Sequence, residues 1–291
     1  MKVAKKKKFH FDLAAILVFA FLTVYCLCIL YLLYFTFLTS LKHRHDFTLM
    51  GNVFGFPDFK TFGFSADNYV TVIQEMSVND QNIFQMLGNS LLYSFGCMFF
   101  ALIAKAVTAY FCAKYNTILG KWIHSIVIIT MILPIVGTTS SIIDTMRRLQ
   151  LYNTFYGVFL YNASFTGMYF LIFYSAFKSI PDGYGEAAKI DGAGHFTIMA
   201  RIYFPMIRPT IIAAAIMIFI QYYNDYNMAL LYLNKYPTIS YGLLVFSKSG
   251  NNANQTMRMA ACFIACVPMI ILFLACKNKI MGNLTAGGLK G

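Results

Sequence analysis

Few residues of this 291-residue chain could do chemistry, and they stand apart from one another. Asp225 lies deep in the apolar stretch IQYYNDYNMAL, with Tyr222 and Asn224 close by. A phenol, an amide and a carboxylate at this spacing exchange hydrogen bonds with hydroxyl groups, but they supply neither a nucleophile nor a metal set. A charge in mid-bilayer costs about 2.5–3.5 kcal/mol on insertion scales, so Asp225 calls for a partner or a wet cavity. Two roles fit it: lining a solute path, or tying helices together. His43-Arg44-His45-Asp46 reads as a solvated loop just past a helix end, and neither His124 nor His195 has ligand spacing. The pairs Cys26-x-Cys28 and Cys262-x-x-x-Cys266 have no His or carboxylate beside them. The seven cysteines therefore read as small apolar packing groups, with no disulfide framework and no metal site. No Gly-x-x-x-x-Gly-Lys-Ser/Thr, Gly-x-Ser-x-Gly or His-Glu-x-x-His occurs. The expectation is a chain with no catalytic residue and no cofactor of its own.

The elements that carry these residues are set by composition. Hydrophobic residues make up 59% of the chain and charged residues 12%, about half the charge of an ordinary soluble domain. The apolar residues gather into long runs, and a bilayer core takes about 20 of them per helix. The pattern predicts an all-α integral membrane protein with six transmembrane helices, near 12–38, 87–111, 122–143, 155–177, 207–232 and 257–276. Pro134 and Pro268 fall inside predicted spans, where neighbouring helices absorb a kink. A long polar segment, 39–86, is expected to carry short helices or strands on the outer face.

Charge placement sets the orientation. Of the 23 basic residues, Lys2 and Lys5 to Lys8 precede the first apolar run. A lysine block there is an inside anchor rather than a nucleic-acid patch, and the run it precedes is too long for a cleavable signal. With the amino terminus inside, 14 basic residues fall on the cytoplasmic side and seven on the other. Both termini are therefore expected in the cytoplasm. This divides the chain into a basic tail (1–11), a six-helix domain (12–276) with a cytoplasmic loop at 178–206, and a carboxyl tail (277–291). Lys105, near the cytoplasmic end of the second span, is expected to snorkel.

The loop at 178–206 reads KSIPDGYGEAAKIDGAGHFTIMARIYFP up to Pro205. Pro181-Asp182-Gly183 is turn chemistry that starts a helix. Tyr184 to Ile190 then form a short helix, with Glu186 near its positive end. Asp191-Gly192-Ala193-Gly194 breaks it, and a second short helix runs toward Ile202. The outcome is a surface helix–turn–helix with small side chains that let a partner approach closely.

Glu186-Ala187-Ala188, Gly192 four residues on, and Ile202-Tyr203-Phe204-Pro205 resemble the signature of the permease family of bacterial binding-protein-dependent ABC importers. The departure is Phe204, where that signature has leucine; the position stays apolar. Likeness to the carbohydrate, maltose-type branch extends over nearly the whole chain. It is carried by Asn68-Tyr69, Asn89-Ser90-Leu91, Ala109-Tyr110, LQLYNTFYGVFL, Asn224-Asp225-Tyr226 and the ending LTAGGLKG, which is similar to the tail of complex-oligosaccharide permeases. The resemblance implies that Glu186, Ala187, Ala188, Asp191, Gly192 and Ala193 couple the spans to an ATPase, and that Gly287 and Lys290 touch it as well. It implies a second permease subunit, two ATPase subunits that hold ATP and Mg, and an extracellular sugar-binding protein. A permease for another small solute fits the loop equally. An ion-coupled secondary transporter explains the spans and Asp225 but not the loop.

Overall fold

A computed structural model describes residues 13–48, 53–58, 61, 66–133, 137–248 and 254–287. The chain divides into two compact units, Met1–Val72 with Ser249–Ile264, and Ile73–Lys248 with Ala265–Gly291.

The first unit begins with α1 (Leu13–Ser40), 28 residues without a charge and exposed along most of its length. A helix apolar all round has no solvent face, and its surroundings are lipid. α2 (Arg44–Thr48) follows, and α3 (Asp67–Glu75) starts the return. Asn68 is buried and binds across chain segments: its Nδ2 donates to the carbonyls of Ser40 (2.9 Å) and Lys42 (2.8 Å), and its Oδ1 accepts from Thr256 (3.1 Å). The Tyr69 hydroxyl pairs with Ser40 Oγ at 2.6 Å. Asn68 thus satisfies carbonyls left unpaired at and just after the end of α1, and Tyr69 pairs with the Ser40 side chain beside them. The solvated-loop reading of 43–46 fails at Asp46, which is buried and accepts the Asp58 N–H through Oδ2 (3.1 Å).

The second unit opens with a two-residue antiparallel ladder, β1 (Ser77–Val78) with β2 (Gln81–Asn82). α4 (Ile83–Lys114) starts on a capping box in which Asn82 and Gln85 satisfy each other's backbone N–H. Its 32 residues make a rod of about 48 Å. α5 (Ile118–Ile132), α6 (Thr139–Arg148), α7 (Phe155–Asn162) and α8 (Met168–Lys178) follow. α9 (Gly183–Ile190), α10 (His195–Ile198), a π-helical turn (Met199–Tyr203) and α11 (Phe204–Met206) lead into α12 (Arg208–Asn224). α13 (Tyr226–Tyr232), α14 (Ile239–Lys248) and α15 (Gln255–Gly287) complete the order.

α4 is the hub of this unit, packed on α8, α12 and α7. Ala106, Ala109 and Ala113 share one buried cluster with Phe170, Phe173 and Phe177 of α8. Both sets recur at helical spacing, and the small residues admit the large ones, as helices in lipid require. Ser90 and Asn89 fix the other end of α4. Ser90 Oγ accepts the Ile239 N–H (2.7 Å), and Asn89 Nδ2 donates to the Pro237 carbonyl (3.1 Å).

Three described helices, α1, α4 and the Gln255–Lys277 part of α15, are long and apolar enough to cross a membrane. A fourth span results if His195–Met206 and Arg208–Asn224, bent by 79°, count as one. The expected spans differ from the observed helices most in the third, fourth, fifth and last. The third run stops at Ile132, and 139–148 form a separate amphipathic helix; Pro134 lies outside the described residues. The fourth is broken at 163–167, and the fifth at Asp225. The last helix absorbs Pro268 and continues through the expected tail to Gly287.

Candidate functional site

The segment expected as a cytoplasmic loop is fastened at Asp182, shortly after the chain leaves α8. Lys114, the last residue of α4, donates Nζ to Asp182 Oδ1 (2.7 Å) and to the Ile180 carbonyl (2.5 Å). That ammonium's hydrogen bond, and then its charge, hold the Asp182 carboxyl below its ordinary value. α9 then runs from Gly183, one residue before the expected start, to Ile190 as expected. Its end is a Schellman turn. The Ala193 N–H donates to the Ala188 carbonyl (2.9 Å) and the Gly192 N–H to that of Lys189 (3.0 Å), with Gly192 at φ +81°. Gly192 is thus needed for its left-handed backbone, and among the described residues nothing approaches the place of its Cβ within 4 Å.

The other residues of the motif divide into two sets. Ala188 and Ala193 pack on the core cluster, whereas Glu186, Ala187 and Asp191 are exposed. Glu186 lines a polar hollow of about 140 Å³ with Lys114, Asp182, Lys189 and Tyr203. Gly185, unremarked in the sequence, is where the segment rests on its support: a Cβ there meets the Tyr203 hydroxyl at 2.7 Å. Tyr203 in turn is buried against Tyr110, with ring centroids 5.4 Å apart. Tyr115, just past α4, adds a 2.7 Å hydrogen bond between its hydroxyl and His195 Nδ1. The only sign of Gly185 was its place before Glu186, and Tyr203 showed only as the variable position in Ile-x-x-Pro. Ile190 and Phe196 stand on the outside of this segment, 86% and 76% exposed.

Tyr222 and Asp225 lie near each other, the Asp225 N–H donating to the Tyr222 carbonyl (3.1 Å), but the three side chains of Tyr222, Asn224 and Asp225 make different contacts. Asp225 is the N-cap of α13, its Oδ1 accepting from the Asn227 (2.9 Å) and Met228 (3.3 Å) N–H groups. The carboxylate thus serves the backbone where the helix breaks, a role neither of the two sequence readings included. Asn224 is exposed, and its Nδ2 donates to the Ile220 carbonyl (3.1 Å). Tyr222 packs edge-on to Tyr93 (5.9 Å) and lines a cavity of about 390 Å³ with Gln221, Tyr169, Thr166 and Lys105. Lys105 does not snorkel; it is 8% exposed and its Nζ donates to the Ser164 carbonyl (2.7 Å). Gly287 ends α15, and Lys290 lies outside the described residues. Among the described residues no group of three His, Cys, Asp or Glu side chains is placed to hold a metal.

A helical protein with several helices long and apolar enough to cross a membrane, one of them a long hub, belongs to the class of integral membrane proteins. Residues 105–284 match the family described as the binding-protein-dependent transport system inner membrane component, and the chain belongs to that family. It is 30% identical over 215 residues to the melibiose/raffinose/stachyose import permease protein MelC of Bacillus subtilis, across 70% of this chain and 77% of that one. It is 25% identical over 225 residues to a probable permease protein of Thermoanaerobacterium thermosulfurigenes for transport of starch degradation products, covering 77% and 80%. The fold is shared with a chain from the crystal structure of a bacterial ABC transporter involved in the import of the acidic polysaccharide alginate. The TM-score is 0.77 at 20% identity, covering 93% of this chain and 99% of that one.

Proposed function

We propose that this chain is one of two membrane subunits of an ATP-driven importer for a carbohydrate, an oligosaccharide by the names of the relatives. ATP and Mg belong to a partner pair of ATPase subunits, and an extracellular binding protein delivers the sugar. The six spans are α1, α4, α5, α7–α8, α12–α13 and α15. The lysine and arginine bias supports both termini, and the 178–206 segment, on the cytoplasmic side.

The observation that carries the coupling role is the exposure of Ile190 and Phe196 on a segment anchored from beneath. Two large apolar side chains held out on a short, capped helix pair suit the groove of a partner protein. Glu186, Ala187, Asp191 and Gly192 lie on the same segment, and Gly287 and Lys290 of the tail add a second contact by resemblance. The anchoring supports the mechanism. The Lys114 contacts tie the segment to the end of α4, and the π turn ties it to the 79° bend before α12. Closure of the ATPase pair therefore pulls on the end of the hub helix and on the next span together. The spans rock, and the path between the two membrane subunits changes side.

The test is purification through a tag on this chain, followed by uptake in vesicles. Co-purification of an ATPase and a second permease is expected, with oligosaccharide uptake that needs ATP and stops with vanadate. Uptake driven by an ion gradient without ATP refutes the importer reading.

A further inference from the structure

The acid that sequence marked for the solute path caps a helix through its Oδ1, and a second charged side chain buried in this unit is Lys105. It sits nine residues, about 13.5 Å of helix, before the end of α4 at Lys114. Its partner is a consequence of the broken span. Between α7 and α8 the chain unwinds through Ala163-Ser164-Phe165-Thr166-Gly167, with Gly167 at φ +108°. Irregular backbone at membrane depth is tolerated where it lines a cavity and its polar groups are satisfied. Lys105 satisfies one of them, the Ser164 carbonyl.

An ammonium carries three donors and a full charge, and one carbonyl accounts for a single donor. Among the described residues no carboxylate lies within 4 Å of Lys105; Lys114–Asp182 and Arg148–Asp144 are ion pairs elsewhere in this unit. Lys105 lines the 390 Å³ cavity together with Thr166, Gln221 and Tyr222. That volume lies within the range of small-molecule sites, roughly 300–1,000 Å³. The hydroxyl, amide and phenol suit sugar hydroxyls, and Tyr169 and Tyr222 add aromatic surface to the lining. A desolvated positive charge without a protein anion is complementary to a negative group on what passes.

We propose that Lys105, Thr166, Gln221 and Tyr222 form the solute contact of this subunit, and that the Lys105 ammonium pairs with a carboxylate or sulfonate on the sugar. The proposal rests on the importer reading above. Its test uses the complete importer in proteoliposomes, with trigalacturonate as anionic probe and maltotriose as neutral probe, comparing wild type, Lys105→Gln and Lys105→Arg. Glutamine keeps a donor and removes the charge; arginine keeps both. Wild type is expected to import trigalacturonate. Lys105→Gln lowers that uptake tenfold or more, lowers maltotriose uptake by a clearly smaller factor, and Lys105→Arg restores trigalacturonate uptake. An equal fall for both probes, together with a lower melting temperature of the purified complex, overturns the proposal and leaves Lys105 as a cap on Ser164. Import of maltotriose alone, unchanged by Lys105→Gln, overturns the anionic assignment while the importer reading stands. Import of neither probe removes the carbohydrate path itself.

Discussion

Two residues of the sequence motifs acquire a testable physical role from their backbone geometry. Gly192 is held at φ +81° by a Schellman turn, with open space around its missing side chain. A non-glycine residue in the left-handed region costs roughly 1–2 kcal/mol, and asparagine tolerates it best. If the turn is the whole requirement, Gly192→Asn retains ATPase co-purification and uptake better than Gly192→Ala. If close approach of the ATPase matters too, Gly192→Glu falls well below what its backbone cost alone accounts for. The expected order is wild type, Asn, Ala, Glu, since both demands fall on this position; full activity of the Glu variant refutes the coupling assignment. Asp225 caps α13, and asparagine and serine cap as well as aspartate. Asp225→Asn and Asp225→Ser should therefore match wild type in yield and in sugar preference. Asp225→Ala should lose about 1 kcal/mol, read as a lower melting temperature of the purified complex. A shift of sugar preference in the Asn variant returns Asp225 to the solute path.

At the scale of elements, the helices break where polar side chains take over backbone groups. α4 is long because a capping box starts it and no proline or glycine pair interrupts it. The fourth run breaks at Ser164, where Lys105 meets the freed carbonyl, and the fifth at Asp225, where the carboxylate meets two freed N–H groups. The support beneath α9 is steric rather than polar. A methyl at Gly185 collides with the Tyr203 hydroxyl, and overpacking of that kind costs about 1–3 kcal/mol. Gly185→Ala should lower the thermal stability of the complex, and Tyr203→Phe in the same chain should recover part of the loss, because it removes the closest atom. No recovery in the double variant argues that the segment and the π turn are not packed in this way in the assembled complex.

At the scale of the whole molecule, the orientation rests on charge bias and is open to direct labelling. Ser77 and Ile190 are both exposed, and the bias puts them on opposite faces. In intact cells a membrane-impermeant thiol reagent should label Ser77→Cys above the parent background. It should reach Ile190→Cys after lysis, and less so when the ATPase is bound. Labelling of Ile190→Cys in intact cells reverses the topology and removes the coupling role with it.

The sequence by itself determined the class of protein. Apolar runs of bilayer length, a lysine block before the first, and Glu186-Ala187-Ala188 with Gly192 are local patterns, and each carries its physical meaning without tertiary context. The short helix ending at Ile190 and the turn after it were legible for the same reason: a left-handed glycine is a property of the chain alone. Tertiary structure decided what the buried polar residues do. Lys105 and Asp225 were visible as charges in apolar runs. Their roles depend on which backbone groups the broken helices leave unpaired, and that follows from packing rather than spacing. Asn68 looked like a family mark and proves to join the ends of segments 188 residues apart, through Thr256. Such bonds answer to the cost of burying an unpaired polar group, which arises only once the helices have come together.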